Sequence, residues 1–265
     1  MMKLFVCDVD NTLTEAAHTV PEENVRAIRR AIDAGVYVTI ATGRGYLGAS
    51  QIIEALGLDS YVICYGGAII VDAKTAKPLF ASEVKNELVH ECLDLADEMG
   101  VHSQIYQGDT IVSAVNDIYT QKYIKKLNLP VRIEPEIRNM EWKQVPKVLW
   151  ITDADKADVL IPQMQKHFEG RLKVSGSSPG FIEFNMLGVD KGTGIKRLAE
   201  HLGIDRKDVV AVGDNTLDLE MLQWAGTGVA VADAKEKIKK LADIIAPSCA
   251  DCGVAWTIDK MLSEK

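Results

Sequence analysis

The chain has 265 residues, of which 47% are hydrophobic and 26% charged, as expected for a globular protein with one large or two smaller domains. The net charge of −8, without a run of Lys or Arg, excludes the basic footprint of a nucleic-acid-binding protein. No apolar stretch reaches the roughly 20 residues that span a bilayer, and Asp8 comes too early for a signal peptide, so we expect no membrane partner. The odd number of cysteines, five, favours a cytoplasmic location.

Strands and helices alternate at the start of the chain. The predicted strands are Leu4–Cys7, Val36–Ala41 and Tyr61–Tyr65, and the predicted helices between them are Pro21–Ala34 and Tyr46–Leu56. This order predicts a parallel sheet with right-handed crossovers.

The pattern changes roughly between Glu83 and Asn185. Predicted helices cover Glu87–Met99, a stretch near Asp117–Leu127, and Asp155–Phe168. The predicted strands, some of which alternate like a sheet with one wet face, are Ile111–Val115, Val131–Ile133, Val148–Thr152, Leu172–Val174 and Phe181–Phe184. We interpret this region as a second α/β domain inserted into the first.

The first pattern then returns. Predicted helices cover Gly192–Leu202, Leu217–Ala225 and Ile238–Leu241, the last of which precedes the apolar pair Ile244 and Ile245, and predicted strands cover Val209–Val212 and Val229–Val231.

Two aspartates follow the first predicted strand. Asp8 and Asp10 are two positions apart, so both side chains can face the same side. One carboxylate can attack phosphorus, while a second carboxyl protonates the leaving oxygen and later activates water. An Asx turn capped by Asn11 and Thr12 is the structural alternative.

Thr42 and Gly43 follow the second strand and precede a helix. Backbone N–H groups at a helix start, together with a hydroxyl, can bind phosphate, but taken alone an ordinary helix cap explains the pair better. The segment Gly43–Gly48 also fits the glycine pattern of dinucleotide-binding folds. The next strand ends in Gly66 and Gly67, where such a site needs an acidic residue, so an NAD-binding oxidoreductase is poorly supported.

A lysine begins the helix that follows the inserted region. Lys191 could offer its ammonium group to a phosphoryl group, although most lysines are simply solvated.

Three polar residues follow the strand Val209–Val212. Asp214, with Asp8 and the carbonyl of Asp10, could fill part of an octahedral Mg²⁺ shell. Asp218 could orient a metal-bound water or Lys191, and Asn215 with Asp218 also fits a helix capping box. Since active sites of open α/β sheets lie at the strand ends, all these segments together predict a phosphoryl-transfer site.

These motifs resemble those of haloacid dehalogenase superfamily hydrolases, and more narrowly of Cof-type sugar phosphatases. The motifs are Asp8–Leu13, Ala41–Arg44, Gly188–Gly194 and Gly213–Leu222. The resemblance implies a Rossmann-like, doubly wound parallel sheet as the catalytic core, formed by residues 1–82 and 186–265. It also implies that residues 83–185 form an inserted α/β cap domain.

The resemblance also assigns roles to individual residues. Asp8 would be the nucleophile and a Mg²⁺ ligand, and Asp10 would be the acid–base residue and a ligand through its carbonyl. Thr42, with Gly43 beside it, and Lys191 would bind phosphate. The metal would also be bound by Asp214.

Three positions depart from the family pattern. Asn11 stands where Gly is more common, Leu217 replaces a polar Asn, and Gly66 stands where Asn often precedes Gly. Asp8 and Asp10 are both present, so we expect an active phosphatase or mutase rather than a dehalogenase.

The leading hypothesis is a Mg²⁺-dependent phosphatase that hydrolyses a small phosphorylated metabolite, such as a sugar phosphate, through an aspartyl-phosphate. A phosphomutase with the same site and a non-catalytic sugar-phosphate-binding protein are the alternatives.

Overall fold

A computed structural model describes residues 2–15, 19–121 and 129–263 and has the predicted α/β architecture. The chain forms two compact units, the first comprising Met1–Phe80 and Asp190–Lys265 and the second Ala81–Val189. Within the described ranges, no helix combines the length and apolar character needed to cross a membrane.

The elements are numbered in chain order. The strands are β1 (Leu4–Cys7), β2 (Tyr37–Ile40), β3 (Tyr61–Cys64), β4 (Ile69–Asp72), β5 (Pro78–Ala81), β6 (His102–Gln107), β7 (Thr110–Ser113), β8 (Val131–Ile133), β9 (Val148–Ile151), β10 (Leu172–Gly176), β11 (Phe181–Met186), β12 (Val209–Gly213), β13 (Thr227–Val231) and β14 (Ile244–Ala246). The helices are α1 (Glu22–Asp33), α2 (Tyr46–Leu56), α3 (Asn86–Glu98), α4 (Ala154–His167), α5 (Lys191–Leu202), α6 (Leu219–Trp224), α7 (Glu236–Lys239) and α8 (Gly253–Ser263).

A parallel sheet of order β14-β13-β12-β1-β2 lies at the centre of the first unit. The strand β1 is fully buried, and Cys7 at its end is in register with Val212 of β12 and Ile40 of β2. The segments that follow these three residues therefore emerge at one edge of the sheet. Asp8, Thr42 and Asp214 lie in those segments.

The strand β3 continues this sheet less regularly than predicted. A single parallel bridge joins Ala41, just after β2, to Ile63 in β3. The other edge of β3 pairs antiparallel with β4, in a three-stranded sheet of order β3-β4-β5. The short strands β4 and β5 were not predicted.

The second unit contains a six-stranded sheet of order β10-β11-β9-β6-β7-β8, in which only β7 and β8 are described as a parallel pair. One face contributes Trp150 and Phe184 to an apolar core that also contains Leu88 of α3 and Leu160 of α4. The strand β6 was not predicted. Of the helix predicted near Asp117–Leu127, residues 118–121 are helical, and residues 122–127 lie outside the described residues.

Several polar side chains on the other face of this sheet are buried, whereas Lys173 and Ser175 of β10 on the same face are partly exposed. Gln104 is fully buried and donates from Nε2 to the hydroxyl of Tyr106 at 3.3 Å. Lys147 and Glu183 are also buried, and their charged groups are 2.9 Å apart. Each of these buried polar side chains therefore has a partner on the same face.

Candidate active site

The ammonium group of Lys191 joins two carboxylates at the carboxyl-terminal edge of the parallel sheet. Its Nζ lies 2.5 Å from Oδ1 of Asp8 and 2.5 Å from Oδ1 of Asp218. All three side chains are buried. The structure thus brings three of the predicted site residues into one charged cluster, although they come from three distant segments of the sequence.

Asp218 also organises the turn after β12. Its Oδ2 accepts the N–H groups of Asp214 and Asn215, each at 3.0 Å, and Oδ1 of Asn215 accepts the N–H of Leu217 at 2.8 Å. This arrangement is the capping box that the sequence offered as an alternative to a functional role. The two interpretations are compatible, because one carboxylate oxygen of Asp218 caps the turn and the other contacts Lys191.

The carboxylates of this cluster fit a divalent cation. Asp8, Asp214 and Asp218 each offer an oxygen, and these oxygens lie within 4.8 Å of one another. The hydroxyl of Thr12 donates to Oδ1 of Asp214 at 2.9 Å, whereas Oδ2 of Asp8 is buried and has no hydrogen-bond partner among the described residues. Leaving a buried carboxylate oxygen unpartnered is costly. Carboxylate oxygens are the ligands that Mg²⁺ prefers, so the cation would satisfy this atom.

The charges of the cluster also favour a bound divalent cation. Burial, followed by the charge of Asp218, raises the pKa of Asp8 well above its ordinary value, although Lys191 opposes the shift. Burial and Asp218 likewise raise the pKa of Asp214 to about 6. Burial lowers the pKa of Lys191, but Asp218 and Asp8 outweigh burial and raise it. The cluster thus holds three carboxylates and one ammonium group, and a divalent cation would relieve the excess negative charge.

Asp10 has a different partner. Its side chain is 52% exposed and faces Arg44, with Nη2 of Arg44 2.5 Å from Oδ1 and Nε 3.1 Å from Oδ2. The prediction that Asp8 and Asp10 face the same site relied on strand geometry. That geometry ends at Cys7, and Asn11 already has a positive φ of 63°. The two carboxylates therefore have separate partners in this structure.

The loop after β2 differs from its predicted form. The helix α2 begins at Tyr46 with Gly45 as its N-cap, so Thr42 and Gly43 do not cap it. The buried hydroxyl of Thr42 instead accepts the N–H of Arg44 at 3.1 Å. A Cβ atom at Gly43 would meet nothing within 4 Å, so there is room beside the backbone at this position.

A close backbone contact fixes the start of the helix that carries Lys191. Gly67 has a φ of 102°, and a Cβ atom there would lie 2.1 Å from the carbonyl oxygen of Asp190. Asp190 is the N-cap of α5, and its carboxylate accepts the N–H of Thr193 at 2.7 Å. Only glycine permits this approach. Gly66 has a φ of 63°, a conformation that Asn also tolerates.

Two residues at the site were missed by the sequence analysis. The sequence predicts only a turn-capping role for Thr12 and no individual role for Arg44. Both lie inside the quoted motifs, so a polar residue within a motif was the available signal. Their partners, Asp214 and Asp10, could be identified only from the folded chain.

The sequence matches the family of haloacid dehalogenase-like hydrolases over residues 5–258. The chain therefore belongs to this family, and the predicted membership in its Cof-type branch is confirmed. A 5-amino-6-(5-phospho-D-ribitylamino)uracil phosphatase of Bacillus subtilis is 31% identical over 258 residues, which cover 97% of this chain and 94% of the relative. An HMP-PP phosphatase of Serratia proteamaculans is 26% identical over 244 residues, covering 91% of this chain and 88% of the relative.

Solved structures agree with this assignment. The crystal structure of a haloacid dehalogenase-like hydrolase from Bacteroides thetaiotaomicron has a TM-score of 0.89 and 28% sequence identity, and it covers 98% of this chain and 100% of that chain. The chain is thus a hydrolase of this family, and several of its relatives carry the names of phosphatases.

Proposed function

We propose that this protein is a Mg²⁺-dependent phosphatase that hydrolyses a small phosphomonoester through a phosphorylated Asp8. The observation that carries the proposal is the buried carboxylate of Asp8, which has one oxygen on Lys191 and the other without a partner among the described residues. A carboxylate fixed in this way is suited to attack phosphorus next to a cation.

The reaction has two steps. In the first, an oxygen of Asp8 forms a bond to phosphorus, the bond from phosphorus to the leaving oxygen breaks, and the carboxyl of Asp10 gives its proton to that oxygen. In the second, Asp10 takes a proton from water while the water oxygen bonds to phosphorus and the bond to Asp8 breaks. The products are an alcohol and inorganic phosphate, and Asp8 and Asp10 return to their initial states.

The remaining predicted residues would bind the phosphate group and the cation. Thr42 and Gly43 would bind phosphate oxygens, as would Lys191, whose positive charge also favours the anionic form of Asp8 against the effect of burial. The cation would be held by Asp8, Asp214 and the carbonyl of Asp10. A bound Mg²⁺ supplies positive charge that stabilises the phosphoryl group in the transition state of its transfer.

Asp218 and Asn215 would orient these groups rather than react. Asp218 fixes Lys191 through one oxygen and the backbone of Asp214 through the other. Asn215 stabilises the same turn through its contact with the N–H of Leu217.

The substrate is proposed from the relatives. Their names describe small phosphorylated compounds, a phosphoribitylaminouracil and HMP-PP. We therefore propose a small phosphorylated metabolite for this protein as well. We also keep as a proposal that residues 83–185 form the cap that selects it, on a core of residues 1–82 and 186–265.

The decisive experiment is a phosphate-release screen over a panel of phosphorylated metabolites, with and without Mg²⁺. We expect Mg²⁺-dependent release by the wild type and none by Asp8→Asn, and the variant should still unfold in one cooperative thermal transition. Asp59→Asn is the matched control, because Asp59 is an exposed aspartate whose partner is Lys74. Undiminished turnover by Asp8→Asn would refute the mechanism.

The same screen separates the alternatives. A phosphomutase would yield an isomerised sugar phosphate instead of free phosphate. A non-catalytic binding protein would bind a sugar phosphate in calorimetry without hydrolysing it. Mg²⁺-dependent turnover would exclude this hypothesis.

A further inference from the structure

We infer that Arg44 is the positioning residue for Asp10. This inference rests on the proposed function, which gives Asp10 the acid–base role. The finding behind it is a two-point contact, in which the Nη2 and Nε atoms of Arg44 contact the two carboxylate oxygens of Asp10 at 2.5 Å and 3.1 Å. A contact through both oxygens fixes the direction of a carboxylate, whereas a single contact leaves it free to rotate.

Asp10 needs such a constraint. Its side chain is 52% exposed and follows the end of a strand, and the next residue, Asn11, has a left-handed backbone. A half-exposed aspartate on a turn can occupy several rotamers. Proton transfer to a leaving oxygen requires the carboxyl at hydrogen-bond distance, so each unproductive rotamer lowers the rate.

Arg44 is itself held firmly, so it can position another group. Its side chain is 12% exposed, and Nη1 donates to the carbonyl of Gly48 at 3.3 Å. Its backbone N–H donates to Thr42, and its carbonyl accepts the N–H of Tyr65 at 2.9 Å. These contacts connect the loop after β2, the start of α2 and the end of β3. Contacts with three segments therefore fix the side chain of Arg44, and Arg44 in turn fixes the carboxylate of Asp10.

The contact also predicts how Asp10 moves between the steps. Both oxygens of Asp10 face Arg44, so one oxygen must leave the guanidinium group to give its proton to the leaving oxygen. After that transfer the carboxylate of Asp10 can pair with Arg44 through both oxygens, and in the second step one oxygen leaves Arg44 again to accept the proton of water, which restores the carboxyl for the next cycle. Lys at position 44 would keep the charge but not the two-point geometry.

The test is a double-mutant cycle of Arg44→Gln and Asp10→Asn in the full chain. The readouts are kcat/KM for a hexose phosphate that the wild type hydrolyses, kcat/KM for 4-nitrophenyl phosphate, and the Ki of inorganic phosphate. The alcohol of a hexose phosphate needs a proton to leave, whereas 4-nitrophenolate is a stable anion and does not. The matched control is Arg30→Gln, because Nη2 of Arg30 contacts both oxygens of Asp259 at 2.8 Å on the exposed surface of the same unit.

We expect Arg44→Gln to lower kcat/KM for the hexose phosphate by roughly tenfold or more, and for 4-nitrophenyl phosphate by much less. The Ki of inorganic phosphate should change by less than about twofold, and the double variant should be no slower than Asp10→Asn alone. Arg44→Lys should recover part of the loss, and Arg30→Gln should match the wild type.

Three results would overturn the inference. These are additive losses in the double variant, an equal loss with both substrates, and a strongly raised Ki of inorganic phosphate, which would make Arg44 a phosphate ligand. Failure of the proposed function looks different, since Asp8→Asn would then remain active. If Asp8→Asn and Asp10→Asn are impaired and Arg44→Gln is fully active, the inference fails and the proposed function stands.

Discussion

A Cβ atom on Gly213 would lie 2.5 Å from the Cβ atom of Asp218 and 2.9 Å from its Oδ2. Asp218 can therefore occupy its position only because residue 213, at the end of β12, is a glycine. That position in turn fixes Lys191 and the backbone of Asp214. One glycine thus supports the contacts on which the cluster depends.

We predict that Gly213→Ala destabilises the protein by about 1–3 kcal/mol, because the new methyl group has to displace Asp218. Urea unfolding of the full chain measures the change. Gly43→Ala is the matched control for stability, since a Cβ atom at Gly43 meets nothing within 4 Å. Equal stability of the two variants would contradict the steric argument.

Replacing Lys191 by Met should lower the free energy of unfolding by about 3–5 kcal/mol, because it leaves the buried carboxylates of Asp8 and Asp218 without the ammonium group that pairs with them. Phosphate release should be lost as well. The matched control is Lys196→Met in the same helix, where the ammonium group is exposed and 3.9 Å from Glu200. Urea unfolding should show almost no change for this control, and a similar loss in both variants would argue against the buried cluster.

The affinity for Mg²⁺ should depend on pH around the pKa of Asp214, which is about 6 in the folded protein against an ordinary value of 3.8. Between these values the folded, metal-free protein binds more protons than the unfolded chain, so this carboxyl makes the fold less stable as pH rises. Mg²⁺ needs the deprotonated carboxylate. We expect its apparent affinity to weaken roughly tenfold for each pH unit below that pKa.

Thermal unfolding with MgCl₂ or KCl of matched ionic strength, one pH unit above and one below this pKa, measures the effect. The rise in Tm caused by Mg²⁺ should be clearly larger at the higher pH. An equal rise at both pH values would show that no proton competes with the metal at this site.

The buried pair of Lys147 and Glu183 in the second unit gives a separate prediction about stability. Lys147→Met alone should cost about 3–5 kcal/mol, since it leaves the carboxylate of Glu183 buried without its partner. The double variant Lys147→Met with Glu183→Leu should recover much of this loss, because no charge is then left unpaired. Thermal unfolding of the three proteins tests this, and additive losses would contradict it.

The regular parts of the fold were predictable where local pattern and burial agree. Leu4–Cys7 is apolar at every position and is buried at every position, so it could be recognised as a central strand. The helix Gly253–Ser263 was missed because it contains several residues with weak helix propensity, including Val254 and Thr257. Its Ala255 N–H is bound by the side chain of Asn24, and such a long-range contact leaves no local signal.

The site was predictable to the extent that its residues follow strand ends. Asp8 and Asp214 lie close together because β1 and β12 are neighbouring parallel strands, whereas Lys191 begins a helix, so its contact with Asp8 did not follow from the strand order. The partner of Asp10 did not follow from it, because Arg44 reaches Asp10 from a loop whose path depends on contacts with Tyr65 and Gly48. The presence of Asn11 where the family more often has Gly is explained by the positive φ of this residue, which both Gly and Asn tolerate.

The contact between Gly67 and Asp190 has a consequence for the evolution of this chain. The backbone leaves the first unit after Phe80 and re-enters it at Asp190, and the point of re-entry is pinned by a glycine that precedes the exit. The segment in between can therefore be lengthened, shortened or exchanged while Lys191 keeps its register against the aspartates. An ancestral core of this kind could acquire new inserts, and with them new specificities, without having to rebuild its chemistry each time.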